Sequence, residues 1–255
     1  MDLGLHRRVA FVTGSSQGIG SAIARLFARE GARVAISYRT NREKALALAG
    51  EIESDGGEAI VVAYDLASRE SIQSAVAEVA ARWGGVDCLV NNAVEWESGS
   101  PGLQPAFELL PEAEWSAQLQ ANIGGVVTTI QAVLPFMRKQ RWGRVVSISS
   151  GIAVDGMPGA GIYGAAKSAL HGLTRSLFKE LGPDGILVNV VMAGFTLTER
   201  VRERVPAALL DERAAQSPLR RLPTPTEVAT TVVFLSSASN TTVTGEIIRS
   251  SGGIS

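Results

Sequence analysis

Near its start the chain carries an apolar run, Val9–Val12, that stops at a turn containing Gly14, Gly18 and Gly20. An amphipathic segment, Ser21–Glu30, follows the turn. This order predicts a strand, a tight turn and a helix, the geometry that holds a dinucleotide pyrophosphate against a helix N-terminus. Glycine allows backbone angles closed to other residues and lets a phosphate approach the main chain. The spacing is Thr-Gly-x3-Gly-x-Gly, not the commoner Gly-x-Gly-x2-Gly, and a glycine-rich turn without a ligand is the alternative.

Apolar runs alternate with helical patterns along most of the chain. The runs are nearly continuous in Val, Ile, Leu and Ala, as is typical of strands buried on both faces. They are Arg8–Val12, Arg33–Ser37, Ala59–Ala63, Val86–Val90, Arg144–Ile148, Leu187–Met192 and Glu246–Arg249. The helical stretches between them are Ile19–Glu30, Asn41–Ser54, Ser68–Trp83, Glu112–Gln140, Ile162–Leu181 and Pro225–Ser236. This alternation predicts a doubly wound α/β fold, with a parallel sheet of about seven strands and helices on both faces.

The chain shows no linker, repeat or low-complexity tract, so we expect a single domain over residues 1–255. Two connections are longer than the others and have the composition of loops, Glu95–Pro111 and Gly194–Pro225. Long connections at the carboxyl ends of strands often cover a ligand, and an ordinary surface loop is the alternative.

Composition excludes several classes of protein. A net charge of −1 gives no indication of binding to nucleic acid or to a membrane surface. The 45% of hydrophobic residues are enough for a full core. Residues Met1–Arg8 lack the order of a signal peptide, and no apolar stretch reaches the ~20 residues that span a bilayer. The one cysteine, Cys88, lies in an apolar run and is expected to be a buried small hydrophobe. We therefore expect a cytoplasmic protein that has neither a disulfide nor a metal site.

Tyr163 and Lys167 lie four residues apart in a helical pattern, so they share one face of the helix. A free tyrosine, with a pKa of about 10, is a poor acid or base near neutrality. A neighbouring ammonium favours the phenolate, which predicts a lowered pKa for Tyr163 and a role in proton transfer. A core tyrosine beside a solvated lysine is the alternative.

Further motifs place this pair in a known family. They are the turn Thr13–Gly20, Asp65-Leu66, Asn91-Asn92-Ala93, Asn122, Ser150 thirteen residues before Tyr163, Tyr163-x3-Lys167 and Asn189. From Arg8 to Gly253 the chain resembles the short-chain dehydrogenase/reductase family, most closely its 3-oxoacyl-acyl-carrier-protein reductases. The resemblance implies a Rossmann-like version of the predicted fold and an oxidoreductase that uses a nicotinamide cofactor.

The resemblance also implies roles for four catalytic residues. Tyr163 would exchange a proton with the substrate oxygen, and Ser150 would hold that oxygen by a hydrogen bond. Lys167 would lower the pKa of Tyr163 and hold the nicotinamide ribose, and Asn122 would support a water that links Lys167 to solvent. Ser150 could otherwise merely end a strand, and Asn122 could be an ordinary polar residue of a helix.

The end of the second strand indicates which cofactor binds. An NAD site usually has a carboxylate there, whereas this chain has Tyr38 followed by Arg39, a fork of donors suited to phosphate. We predict NADP(H), although the turn carries Gln17 where relatives have a basic residue, and Arg39 could be a solvated surface residue. The predicted cofactor-binding residues are Gly14, Ser16, Gln17, Gly18, Ile19, Gly20, Tyr38, Arg39, Asp65, Leu66, Asn91, Ala93, Tyr163, Lys167 and Thr196. Either Thr196 or Thr198 could instead cap the helix that follows.

Departures from the family pattern concern the cofactor pose and the substrate. Val94, Ala193 and Ser251 replace the usual Gly, Pro and Asp. A substrate lid is expected over residues 195–218, and its mixed charges could also be a solvated helix face. Recognition of an acidic carrier protein is a weaker hypothesis, because Arg141 fits a basic docking position but the second position holds Asp184.

Relatives form homodimers or homotetramers through the helix with Asn122 and the helix after Lys167, and we expect the same here. The predicted function is NADPH-dependent reduction of a ketone or a 3-oxoacyl group to a secondary alcohol, on a small-molecule or carrier-bound substrate. The alternatives are an NAD(P)-dependent alcohol or sugar dehydrogenase and a catalytically silent nucleotide-binding regulator with the same fold.

Overall fold

A computed structural model describes residues 2–95 and 106–253 of the chain. In this part of the chain seven parallel strands form a sheet in the order β3-β2-β1-β4-β5-β6-β7. The strands are β1 Val9–Val12, β2 Arg33–Tyr38, β3 Glu58–Ala63, β4 Cys88–Asn91, β5 Gly143–Ser150, β6 Ile186–Ala193 and β7 Ile247–Ser250. Each lies within two residues of its predicted position, and the predicted α/β fold is confirmed.

Helices cover both faces of the sheet. Their bounds are α1 Gly18–Arg29, α2 Arg42–Ser54, α3 Arg69–Trp83, α4 Glu112–Leu119, α5 Val126–Gln140, α6 Ile152–Asp155, α7 Gly161–Leu181, α8 Glu199–Arg204, α9 Ala207–Gln216 and α10 Pro225–Leu235. Alternate strand residues face opposite helix layers: Ala10 and Val12 pack with α1, α2 and α10, whereas Val9 and Phe11 pack with α3, α5 and α7. The strands are therefore buried on both faces, which explains their continuous apolar sequence.

The strand order reverses beside β1. The chain runs outward from β1 to β3 and then returns to place β4 on the other side of β1. In doubly wound sheets the crevice at such a reversal, at the carboxyl ends of the strands, is where ligands bind. The glycine turn after β1 and the segment Asn91–Ala93 after β4 both reach this crevice.

The predicted helix Glu112–Gln140 contains a wider, π-helical turn at Gln120–Gly125 between α4 and α5. The side-chain amide of Asn122 donates to the carbonyl of Gln118 at 2.9 Å, which satisfies an acceptor of the preceding turn. A Cβ atom on Gly125 would lie 2.1 Å from the carbonyl oxygen of Leu66, so only glycine allows this close approach. Such turns are often found at functional sites.

The long connection Gly194–Pro225 is not the loop that its composition indicates, because α8 and α9 lie within it. Thr198 caps α8 by accepting from the N–H of Val201, and Pro206 separates the two helices. Short α6 was also missed. Most of the other long connection, Glu95–Pro111, lies outside the described residues, apart from Glu95 and the stretch that holds a 3₁₀ turn at Phe107–Leu109.

In the described part of the chain no helix is long and apolar enough to cross a bilayer. Likewise, no three His, Cys, Asp or Glu side chains of the described residues come together as metal ligands. Cys88 is fully buried, as its apolar sequence context predicts. The division of the chain into domains stays a prediction.

Candidate active site

The glycine turn has the backbone that its sequence predicts. Gly14 and Gly18 both have a φ of 62°, in the left-handed region that favours glycine. A Cβ atom on Gly20 would lie 2.6 Å from both the side-chain nitrogen of Asn92 and the carbonyl oxygen of Gly14. The turn therefore packs against the end of β4 with no room for a side chain at Gly20.

Hydrogen bonds from the neighbouring strands hold this turn in place. The hydroxyl of Thr13 accepts from the backbone N–H groups of Asn92 and Ala93 at 2.9 and 3.0 Å. On the other side, the N–H of Gly14 donates to the hydroxyl of Ser37 at 2.8 Å. The ends of β1, β2 and β4 thus form one rigid unit beneath the crevice.

The residues present fit a dinucleotide. Gln17, at the N-cap of α1, makes no side-chain hydrogen bond to the first turn, whereas Ser68, Thr198 and Thr224 cap α3, α8 and α10. An uncapped helix N-terminus beside glycines offers N–H groups and a positive dipole to an anion. Asn91, at the end of β4, has a buried Oδ1 with no hydrogen-bond partner among the described residues. These features are those expected of a pyrophosphate and ribose site.

Ser150, Tyr163 and Lys167 meet at the carboxyl end of β5. Ser150 is the last residue of β5 and its hydroxyl is hydrogen-bonded to the phenol of Tyr163. Lys167 lies one turn further along α7, with its Nζ 5.8 Å from the centroid of the Tyr163 ring. The ammonium is buried and donates to the carbonyl of Ile148 at 2.9 Å. The structure thus brings together three of the four predicted catalytic side chains.

The predicted lowering of the Tyr163 pKa is wrong. Desolvation of the phenol raises the pKa of Tyr163 to about 12, and the Ser150 hydroxyl offsets only part of this effect. Burial also lowers the pKa of Lys167 to about 8, so its charge is only partly retained above neutrality. The sequence showed the partners but could not show how little water surrounds them. At neutral pH the phenol of Tyr163 therefore keeps its proton.

A second pair on the same elements supports the catalytic groups. The hydroxyl of Ser149 is 2.8 Å from Nε2 of His171 and donates to the carbonyl of Lys167 at 3.3 Å. Burial lowers the pKa of His171, which favours the neutral imidazole. The contact between His171 and Ser149 ties α7 to β5.

Asn122 holds the segment after β4. Its Oδ1 accepts from the N–H of Glu95, and its Nδ2 donates to the carbonyl of Glu95, both at 3.0 Å. The residue lies in the π-helical turn and is buried. Its position is compatible with the predicted water relay, which stays a prediction.

At the other end of the crevice sequence reasoning missed two residues, Glu95 and Lys44. Arg39 forms an ion pair with the carboxylate of Glu95, where we expected it to be free for phosphate. Lys44 lies in the first turn of α2, with its Nζ 3.4 Å from Oε1 of Gln17. A cation therefore does lie beside the glycine turn, although Gln17 occupies the family's basic position. The only sequence signal for Lys44 was its place in the first turns of α2.

The remaining predicted cofactor residues line the same edge of the sheet. Asp65 is half-buried and accepts from the N–H of Ala67 at 2.9 Å. Thr196 is buried and donates to the carbonyl of Gly194 at 3.0 Å, so Thr198 and not Thr196 is the helix cap. The other members lie on the turn, at the start of α1 or at strand ends: Ser16, Ile19, Tyr38, Leu66 and Ala93.

Comparison with known proteins identifies the family. A family model described as "Enoyl-(Acyl carrier protein) reductase" matches residues 14–255. A 3-oxoacyl-[acyl-carrier-protein] reductase FabG of Staphylococcus epidermidis is 35% identical over 96% of this chain and 98% of its own length. The Aquifex aeolicus reductase of the same name is 38% identical over the full length of both chains.

The chain belongs to the short-chain dehydrogenase/reductase family. It is therefore an oxidoreductase enzyme of that type, as the motifs predicted. Among solved structures, L-sorbose reductase from Gluconobacter frateurii, complexed with NADPH and L-sorbose, superposes with a TM-score of 0.90. It is 29% identical to this chain and is matched over 100% of this chain and 98% of its own. The family membership makes the cluster of Ser150, Tyr163 and Lys167 the candidate reaction centre.

Proposed function

We propose that this short-chain dehydrogenase/reductase reduces a ketone or a 3-oxoacyl group to a secondary alcohol with NADPH. The observation that carries the proposal is the Ser150–Tyr163 hydrogen bond with a buried Lys167 one turn away. These groups lie at the same edge of the sheet as the uncapped N-terminus of α1. An acid, an oxygen-binding hydroxyl and a nucleotide groove in one crevice are the parts that carbonyl reduction needs.

In the proposed mechanism a bound nicotinamide would supply a hydride to the carbonyl carbon, and side chains of the protein bind and protonate the carbonyl oxygen. The Ser150 hydroxyl donates a hydrogen bond to the carbonyl oxygen and stabilises the negative charge that develops there. Tyr163 gives its phenolic proton to that oxygen, which its high pKa in the free protein allows at neutral pH. The positive charge of Lys167 then favours the phenolate that remains.

NADP(H) is the proposed cofactor because cations surround the adenosine end of the crevice. Arg39 follows β2 directly, and Lys44 reaches Gln17 at the turn. No carboxylate occupies the end of β2, where Tyr38 stands and where an acid would repel a 2′-phosphate. The curated relatives are named for 3-oxoacyl-acyl-carrier-protein reduction, which supports a 3-oxoacyl substrate.

A second candidate is a sugar or polyol dehydrogenase. The structural similarity to L-sorbose reductase favours it, since that protein was solved with NADPH and L-sorbose. The silent-regulator alternative receives no support from the site, because Ser150, Tyr163 and Lys167 are all present, with Ser150 hydrogen-bonded to Tyr163 and Lys167 one turn away.

The test measures NADPH oxidation with a panel of a 3-oxoacyl thioester, simple ketones and ketoses. An enoyl thioester is included because the matching family model is described as an enoyl reductase. We expect turnover of the 3-oxoacyl thioester and none of the enoyl thioester. Tyr163→Phe should abolish turnover and leave NADPH binding within about threefold, since it removes only one proton donor. NADPH binding without reduction of any panel member would support the regulator, and preference for a ketose would support the second candidate.

Further proposals concern assembly, carrier and location. Exposed apolar side chains at Phe107, Leu109 and Val154 support a homo-oligomer. A carrier-bound substrate has little support from the surface, because Asp184 is ion-paired with Arg138 near the predicted docking position. A cytoplasmic location is compatible with the one buried cysteine.

A further inference from the structure

An ion pair crosses the crevice in which the cofactor is proposed to lie. Arg39 directly follows β2, and Glu95 lies four residues beyond the end of β4. These strands are the two neighbours of β1, so the Arg39–Glu95 pair spans the end of β1 and its glycine turn. A nucleotide that reaches the turn must therefore pass the pair or open it.

The two partners are held very differently. The backbone of Glu95 is fixed on both sides by Asn122, and its side chain is only 16% exposed. The Arg39 side chain is 49% exposed and has room to turn toward other anions. The carboxylate is thus the fixed member of the pair and the guanidinium is the movable one.

We propose that Glu95 is a specificity-determining residue of the cofactor site, because its carboxylate competes with the 2′-phosphate of NADP(H) for Arg39. The inference rests on the NADP(H) assignment above. The guanidinium N–H group that Arg39 donates to Glu95 is not free to bind a phosphate. A phosphate that approaches Arg39 is also repelled by the Glu95 carboxylate. A nucleotide that lacks the 2′-phosphate does not compete with Glu95 for Arg39. Glu95 therefore narrows the preference for NADP(H) over NAD(H).

Glu95→Gln keeps the shape of the side chain and removes its charge, so the test compares two probes that differ only in the phosphate. The probes are 2′,5′-ADP and 5′-AMP, and their Kd values are measured by calorimetry at constant ionic strength. We expect Glu95→Gln to tighten 2′,5′-ADP by about fivefold, which corresponds to about 1 kcal/mol, and to change 5′-AMP by less than about twofold. The exposure of Arg39 limits the effect to this size.

Two further variants isolate the pair. In an Arg39→Ala background the same Glu95→Gln change should have less than about half its effect on 2′,5′-ADP, on a logarithmic scale, because the shared partner is gone. Glu43→Gln, which removes a charge on α2 that is not a partner of Arg39 in the described part of the chain, is the matched control and should change neither Kd. Circular dichroism of each variant checks that the fold is intact.

Three results overturn the inference: an unchanged Kd for 2′,5′-ADP, equal tightening of both probes, or weaker binding of both. The last would mean that Glu95 and Arg39 close over the bound nucleotide. The experiment distinguishes failure of the inference about Glu95 from failure of the NADP(H) assignment. If the unaltered protein prefers 2′,5′-ADP and Glu95→Gln does not increase that preference, only the role of Glu95 is wrong. If no variant binds 2′,5′-ADP better than 5′-AMP, both are wrong.

Discussion

Lys167→Met should remove a pH dependence of stability that a buried ammonium imposes on the fold. Methionine has a similar length and carries no charge. In the folded protein burial lowers the pKa of Lys167 from 10.5 to about 8. Between these values the unfolded chain holds a proton that the folded chain does not. The free energy of unfolding of the unaltered protein therefore rises with pH across this window and is lowest below pH 8.

The size of the effect follows from the two pKa values. At about 1.36 kcal/mol for each pKa unit, burial of the charged form costs about 3 kcal/mol below pH 8. About 2 kcal/mol of this cost is relieved between about pH 7 and about pH 9.5. Burial also raises the pKa of the Cys88 thiol, which gives stability a pH dependence of its own. This contribution is common to both proteins and cancels in the comparison.

The assay is urea unfolding of the cofactor-free protein and of Lys167→Met at equal protomer concentration, at about pH 7 and about pH 9.5. We expect the unaltered protein to gain about 2 kcal/mol relative to the variant on going to the higher pH. The hydrogen bond to Ile148 is lost in the variant at both pH values and does not enter the difference. Parallel pH profiles of the two proteins would refute the assignment of a buried, partly titrated ammonium.

Three other outcomes are expected. Ser150→Ala should lower kcat/KM by about 10²–10³, because the carbonyl oxygen loses a preorganised donor, and steady-state kinetics with the preferred ketone measures this. Arg39→Ala should raise the KM for NADPH more than the KM for NADH, and a larger rise for NADH would contradict the phosphate role. Gly125→Ala should destabilise the protein by about 1–3 kcal/mol in urea, since its Cβ would lie 2.1 Å from the backbone oxygen of Leu66. The control, Gly124→Ala, meets only the flexible end of a glutamine and should cost less than about 1 kcal/mol.

The sheet could be predicted from the sequence because its strands carry an uninterrupted signal. A run such as Val9–Val12 is apolar on both faces, as is typical of a central parallel strand. The glycine turn was equally predictable, since Gly14 and Gly18 take a backbone conformation that other residues rarely adopt. Helices α8 and α9 were missed because they are short, charged and separated by Pro206, so they lack the apolar periodicity of a buried helix.

The site was predictable in its members but not in its electrostatics. The spacing of Tyr163 and Lys167 predicted that they share a helix face. The direction in which each pKa shifts depends on burial, which only the folded structure shows. The Arg39–Glu95 pair joins residues 56 positions apart and belongs to no local pattern. Contacts between the ends of different strands are set by the order of the sheet, so no reading of β2 or β4 alone could find this pair.

The nearness of Gly18 to Thr198 has a kinetic consequence. A Cβ atom on Gly18 would lie 3.7 Å from the Cγ2 of Thr198, so the segment 195–218 begins directly against the glycine turn. A nucleotide seated on that turn would form part of the floor on which this segment rests. The chamber for the second reactant would then be complete only after the first has arrived. We therefore expect the two reactants to bind in a compulsory order, with the nucleotide first to enter and last to leave.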